Sequence, residues 1–594
     1  MSAIFGVVGA ATAAELDEMG SRLVHRGPFV HWRHVARGVY LGAAGKREPE
    51  PLRHESLTAV VSASATLRGD DAESIVAGRF AREGLAAFES GNQTFAIAAW
   101  DERTQSLLLA RDFIGLKPLY YCVLPGGGIA FASEYKALLA LAEVPAEPDL
   151  DALQYLQCHK RVPGNRTLLR NVLSVPPGAM LRFARNGTRE DAQHMRPLAL
   201  AVAPTSEDAA CERIGTLLLE ATRNLVGGCD RVGIALSGGI DSIGVAYACR
   251  RSAPEAELVA FTAGDDHDDP EIRTAAMVME HLGGAHHPVI VTPRHLADVL
   301  PEVVWHLENP VGRSETAQFI ELGRAAQARG FDWLMTGMSA DALFAGMPRH
   351  KLLWLASRLP PLRRDLVEFY ARTQSGRPPR RPLARIIDRL YFRGALPPVP
   401  GIEGARYTPG LPDLPPPGPE FLNRFLVTSA QEGAGLARIE RTLQASGVDF
   451  ATPFADRALM DYAFTLPDAL KIRRGKEKYI LRRALRALVP DELRNLPKFP
   501  MRMRYDEQFA STIDALFDEF LAPDRVRRRG FFRYDELLAL RRARRRGRYD
   551  AEAAMRIWTA VATEIWAEQF LDRRGEPLKR RDVALGGAPL RAVG

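Results

Sequence analysis

Apolar and polar positions follow two different rhythms along this chain. Up to about residue 203 the apolar residues fall in short runs, AIFGVVGA, LTAVVSASATL, TFAIAAWD, SLLLARD and GIAFASE, bounded by Gly, Asp or Pro. Runs this short, rich in residues that suit a pleated surface, predict strands. Beyond Pro204 the spacing changes. CERIGTLLLEATRNLV carries an amphipathic helical pattern, and VGIALS, DSIGVAYACRR, ELVAFTAG and EIRTAAMVMEHLG then alternate strand with helix. That alternation predicts βαβ units and a parallel sheet covered by helices. Residues 355–420 are rich in Pro, Arg and Gly (LPPLRR, GRPPRRP, GALPPVPG, LPDLPPPGP) and predict a long excursion or lid rather than core. Helical patterns dominate from Phe421 to MRIWTAVATEIWAEQFL, and the tail 577–594 reads as disordered. The expectation is an α/β protein of two domains, 1–203 and 204–576, the second carrying the excursion.

Composition narrows the class. At 594 residues the chain is too long for a single core. The formal charge of +7 comes largely from RRARRRGR (Arg541–Arg548) and from the stretch Arg377–Arg385. Neither is interleaved with aromatics, so no nucleic-acid partner is expected; a solvated face accounts for the charge, with an acidic ligand or a peptide partner as the alternative. The five cysteines show no CxxC and no His/Cys cluster, which argues against structural zinc and against a disulfide framework. No run of 18 apolar residues occurs, and MSAIFGVVGAAT lacks a signal-peptide pattern. A cytoplasmic protein with no membrane contact is expected.

The sharpest chemical signal is Ser237-Gly238-Gly239-Ile240-Asp241-Ser242, between the strand Val232–Leu236 and a helix. Two glycines let backbone N–H groups approach an anion, and the helix start adds the positive end of its dipole. Ser237 and Ser242 could donate to phosphate oxygens, and Asp241 could hold the Mg²⁺ that bridges them. The Walker string GxxxxGK[ST] does not occur. SGGxDS instead resembles the ATP-pyrophosphatase signature, which implies ATP and Mg²⁺ as cofactors.

Further motifs extend the resemblance over the whole chain. LLLARDFIGLKPLYY, HRGP (His25–Pro28), VPPGAML, TGMSADALFAGM, KEKYILRRAL, LPKF and the terminal WxxxxxExW are collinear with the glutamine-dependent asparagine synthetase family. That family includes the β-lactam synthetases and lasso-peptide macrolactam synthetases. The resemblance implies an N-terminal-nucleophile-hydrolase-like αββα sandwich followed by a Rossmann-like ATP-pyrophosphatase domain with helical additions. It implies Asp341 as a second Mg²⁺ ligand beside Asp241. Thr336 and Gly337, with the backbone at Ala235 and Ala263, would lie against the adenosine. Lys478 and Lys498 would stabilise negative charge during adenylation and acyl transfer.

The chain also departs from the family. Active glutaminases of this family begin Met-Cys-Gly, where the exposed cysteine is the nucleophile. Here Ser2-Ala3 stand there, and Val60-Val61-Ser62-Ala63-Ser64-Ala65 replace the glutamine-holding loop. Met338 occupies the place of a family Glu or Tyr and cannot take a proton; Glu308 and Glu315 are candidate bases for the attacking amine. The implied activity is formation of an amide through an acyl-adenylate, with a lasso-type macrolactam favoured. An ammonia-dependent asparagine synthetase, or an amide ligase on a small natural-product acid, is the alternative. The expected partners are a peptide or small carboxylic acid substrate, a leader peptidase and a peptide-recognition protein. A catalytically silent scaffold is the third possibility, against which the intact SGGIDS, Asp341 and both lysines speak.

Overall fold

The computed structural model describes residues 2–64, 72–89, 91–310, 314–375, 380–392, 399–407, 418, 420–431, 434–494, 496, 506–544 and 550–578. The N-terminal part holds two six-stranded sheets whose paired strands all run antiparallel. The first runs, in spatial order, Leu173–Ser174, Tyr120–Val123, Ile129–Ala132, Ser2–Val8, Val39–Gly45 and Phe29–Ala36. The second runs Arg189–His194, Ala179–Ala184, Ser106–Arg111, Phe95–Asp101, Leu57–Ala63 and Leu52–His54. Side chains alternate across a strand. Along Ser2–Val8, Ile4 and Val8 enter the core between the sheets with Trp100, Leu109 and Phe131. Ala3, Phe5 and Val7 enter a second core with Leu16 and Met19 of the helix Ala13–Ser21. Both faces of the strand are buried, which is why it reads as an unbroken apolar run. The helix Ala72–Glu83 covers the second sheet through Val76 and Phe80, completing the helix–sheet–sheet–helix sandwich.

The C-terminal part is built on a five-stranded parallel sheet, in spatial order Ala285–Ile290, Glu257–Gly264, Arg231–Ala235, Trp333–Thr336 and Asp449–Ala451. The strand Arg231–Ala235 is central, and its neighbours end beside it: Ala235 pairs with Phe261 on one side and Thr336 on the other. Crevices at the carboxyl ends of such strands are where parallel α/β sheets bind ligands. No helix among the described residues is long and apolar enough to cross a membrane.

The stretch 355–420 is less of an excursion than its composition predicts. It contains the helices Arg363–Ser375 and Pro382–Phe392, and Leu366, Val367, Phe369 and Ala384 are buried. RRDLVEFY and LARIIDRL keep apolar residues at helical spacing inside the Pro-rich borders, and this local periodicity prevails over the average composition. Its later part is tied to the first domain: the Ile402 N–H donates to Gln154 Oε1 at 2.6 Å, and those of Arg406 and Tyr407 donate to Asp151 Oδ1 at 2.6 and 2.7 Å. Residues 376–379, 393–398 and 408–417 of this stretch, and the tail from 579, lie outside the described residues.

Buried charges join the two halves. The Arg26 guanidinium donates to Glu134 and, through both terminal nitrogens, to Glu440 at 2.7 and 2.9 Å. Lys117 Nζ lies 3.0 Å from Asp449 Oδ2, at the start of the edge strand of the parallel sheet. Burial alone would raise the Asp449 carboxyl, but Lys117 overrides it and holds the group below the usual aspartate range. Beside this network the His25 and His306 rings meet edge to face, 4.6 Å apart. Burial is the leading cause that lowers both imidazoles, with Glu134 opposing it at His25 and with His25 and Lys136 adding to it at His306. Both are therefore neutral in the folded protein at pH values where the unfolded chain, with ordinary histidines near 6.5, begins to take up protons. The sign follows: stability holds above that value and declines as pH falls toward the depressed folded values. Denaturation followed from about pH 7 to about pH 5 should show this decline, flattened in the His25→Gln/His306→Gln double variant; an unchanged slope would contradict it.

Candidate functional site

The strand Arg231–Ala235 runs through Leu236 into Ser237-Gly238-Gly239, and the helix Ile240–Ser252 starts at once with Gly239 as its cap. Thr262 Oγ1 donates to the Leu236 carbonyl at 2.8 Å, fixing the loop's entry to the neighbouring strand. The two serines do not play equal parts. Ser242 is buried, its hydroxyl accepts the Ser237 N–H at 3.1 Å, and it lies 2.7 Å from the Ser237 carbonyl and 3.0 Å from that of Gly239. These bonds close the loop on itself. Ser237 is the more accessible of the pair, its Oγ 2.9 Å from that of Ser242.

The residues expected around adenosine stand at adjacent strand ends. Ala235 and Thr336 are the last residues of their strands, and Ala263 is the penultimate residue of Glu257–Gly264. Gly337 has a steric reason to be glycine: a Cβ there would lie 2.6 Å from Ser242 N and 2.8 Å from the Asp241 carbonyl carbon. The strand end therefore presses against the backbone of the phosphate loop. The chain then turns through Ser339, at φ +73°, into the short helix Ala340–Leu343 that carries Asp341.

Asp241 and Asp341, separated by about one hundred positions in sequence, converge on one point in space, and the ammonium of Lys478 sits there, ion-paired with both. The Lys478 side chain is 3% exposed, against 14% for Asp241 and 31% for Asp341. Burial on its own would depress this ammonium, but the two carboxylates more than reverse that and raise it above an ordinary lysine. The backbone around the point is held in uncommon conformations. Ala345 and Lys478 both have left-handed φ values, +54° and +53°. A Cβ on Gly346 would overlap Lys478 Cε and Asp341 Oδ1. His350 is buried under the Asp341 loop, its Nδ1 accepting the Met347 N–H at 3.3 Å; burial, with Arg349 next, drives its pKa down to about 3, so it is a neutral prop.

Two carboxylates gathered around one cation suit Mg²⁺, which typically takes one or two protein carboxylates and completes its shell with phosphates and water. Among the described residues no group of three or more His, Cys, Asp or Glu could hold a metal without such help. The donor set therefore fits a metal that arrives with a nucleotide.

Several residues fall elsewhere. Lys498 and the side chain of Glu315 lie outside the described residues. Glu308 is not an available base: it is fully buried, accepts the Lys136 N–H at 2.6 Å, and pairs with Arg441 at 2.8 Å. Met338 flanks the site, its carbonyl accepting Thr452 Oγ1 at 2.8 Å. Ser2, at the glutaminase nucleophile's place, is buried and donates its hydroxyl to Glu73 Oε1 at 2.9 Å. Gly346 and His350 were not read as site residues from sequence; the position of Gly346 inside the motif TGMSADALFAGM was the available signal.

Gly346→Ala should lower the ATP-dependent rate at least about 100-fold with little change in thermal midpoint, because the added methyl displaces Lys478 and Asp341 rather than the core. A variant of near-normal rate would show that the three charges need not meet.

The asparagine synthase family pattern matches residues 213–568, and the glutamine amidotransferase domain pattern matches residues 53–194. A putative glutamine-hydrolysing asparagine synthetase of Mycobacterium tuberculosis is 28% identical over 469 residues, covering 73% of this chain and 71% of its own. Glutamine-hydrolysing asparagine synthetase 1 of Bacillus subtilis is 26% identical over 436 residues, covering 69% and 68%. Carboxyethyl-arginine β-lactam synthase of Streptomyces clavuligerus is 28% identical over 519 residues, covering 86% and 83%. With its phosphate loop, its paired carboxylates and a pattern match over more than half its length, the chain belongs to the asparagine synthase family and is an ATP-dependent carbon–nitrogen ligase.

Proposed function

We propose that this ligase closes a lasso-type macrolactam, joining an Asp or Glu side-chain carboxyl of a peptide to that peptide's own N-terminal amine. The carrying observation is the combination of an assembled Asp241–Asp341–Lys478 site with a serine, already hydrogen-bonded to Glu73, where a glutaminase needs its cysteine. Without glutamine hydrolysis the amine must come from elsewhere. The likeness to a β-lactam synthase over 86% of this chain favours an amine carried by the substrate itself.

In this reading the first step forms a bond between a carboxylate oxygen and the α-phosphorus of ATP, and breaks the bond to pyrophosphate. The loop Ser237–Gly239 and the start of its helix present N–H groups to the phosphates. Asp241 and Asp341 would hold Mg²⁺, which when bound neutralises phosphate charge. Lys478, buried at the meeting of the two carboxylates, sets a positive charge beside the group that becomes negative. Ala235, Ala263, Thr336 and Gly337 frame the nucleoside at the strand ends. In the second step the amine nitrogen bonds to the acyl carbon, AMP departs, and the amine loses a proton. Met338 cannot accept that proton, and Glu308 is sealed in its pair with Arg441. Lys498 is proposed to steady this step, as the family resemblance implies. A ring closure also needs the peptide held folded, since orientation supplies much of the rate of an intramolecular attack. A leader peptidase and a peptide-recognition protein would deliver the substrate.

Incubation with ATP and leader-free core peptides should release AMP and pyrophosphate and give a peptide lighter by one water. Glutamine should yield no glutamate. AMP release with the peptide mass unchanged would contradict ring closure, and steady asparagine formation from aspartate and ammonium would favour the small-acid alternative. Asp241→Asn should cut the rate at least about 100-fold.

A further inference from the structure

Between Leu355 and Phe392 the only carboxylates are Asp365, Glu368 and Asp388, and all three are engaged from within the same stretch. Asp365 accepts Arg381 Nε at 2.9 Å and the Ala384 N–H at 3.4 Å. Glu368 accepts the backbone N–H groups of Arg380 and Arg381 at 2.7 and 2.9 Å. Asp388 accepts Arg372 Nε at 2.8 Å. These bonds hold the two helices side by side, the start of Pro382–Phe392 tied to Asp365 and Glu368 and its middle tied to Arg372. Arg364, Arg380 and Arg385 each stand within one residue of a group in these bonds; all are exposed, and none forms an ion pair with a described residue. Leu362 and Ile386, 38% and 53% exposed, border the same patch. Both helices begin here, so their dipoles add positive potential to that of the guanidinium groups.

From this placement we infer that the paired helices dock an acidic, apolar-bearing segment of the peptide substrate, an inference that rests on the peptide-ligase reading. An exposed face with uncompensated positive charge and interspersed apolar side chains complements a peptide carrying Glu or Asp beside Leu or Val. The chain leaves the Asp341 loop through the helix His350–Arg358, which rises about 12 Å at 1.5 Å per residue, and enters the patch directly afterwards. An extended peptide covers that span in about four residues.

The test measures binding and chemistry separately. A fluorescein-labelled peptide of Glu, Leu and Gly is titrated with the full-length protein and with the R364E/R380E/R385E variant, by fluorescence anisotropy. The variant should bind at least about tenfold more weakly, raised salt should weaken the wild type, and a Lys-for-Glu peptide should reverse the preference. Equal affinity of wild type and variant would overturn the inference. So would binding of phosphatidylglycerol vesicles or an oligonucleotide by the wild type with no binding of the Glu/Leu peptide. The substituted arginines are exposed, and an unchanged thermal midpoint shows that the variant is folded. Arginine-dependent binding of the peptide without AMP release from any peptide acid would uphold the docking surface and remove the ligase reading instead.

Discussion

Two carboxylates pressed into a partly buried crevice cannot remain there without a positive charge, because like charges in a medium of low polarity repel strongly. Asp241 arrives from the helix after the phosphate loop and Asp341 from the helix after the neighbouring strand. Lys478, from a segment almost 140 residues further on, supplies the ammonium that reconciles them. Much of the surrounding backbone serves this meeting. Gly337 lets one strand end lie against the other's loop, Gly346 leaves room for the lysine stem, and the left-handed turns at Ser339, Ala345 and Lys478 aim the three side chains at one another. Such conformations cost on the order of 1–3 kcal/mol each and persist where the surroundings over-determine them. A site that balances its own charges before the nucleotide arrives is already shaped for a divalent cation and a polyphosphate.

The amidotransferase-like half is tied physically to this arrangement. Its Arg26 and Lys117 neutralise Glu440 and Asp449, and Asp449 begins the strand beside Trp333–Thr336, the strand that leads to Gly337. Truncating Arg26 and Lys117 within the intact fold would leave two fully buried carboxylates of the ligase half without their counter-ions, a change that costs several kcal/mol for each broken pair. Ser64 Oγ also donates to Asp449 at 3.2 Å, so the end of the strand Leu57–Ala63 takes part in the joint. The retained domain acts as one wall of the molecule.

What could be read from the chain alone was whatever is encoded locally. SGGIDS and TGMSADALFAGM announce themselves because a tight turn and a close backbone approach demand particular residues within a few positions of each other. The strand and helix rhythms were legible for the same reason. Contacts made across long separations were not. Glu308 reads as a candidate base, yet Lys136, 172 positions earlier, and Arg441, 133 positions later, enclose it. The bonds of the Ser242 hydroxyl to Ser237 and Gly239 are visible only in the folded loop. The Pro/Arg stretch misleads in another way, since its average composition conceals two amphipathic helices between the prolines.

The account stands on AMP becoming joined to a carboxyl oxygen of the substrate at the point where Asp241, Asp341 and Lys478 meet. Carboxyl groups labelled with oxygen-18 report this directly. After turnover with a labelled peptide acid and ATP, one labelled oxygen should appear in AMP and none in pyrophosphate. Label recovered in inorganic phosphate together with ADP, or AMP that carries no label, would contradict it.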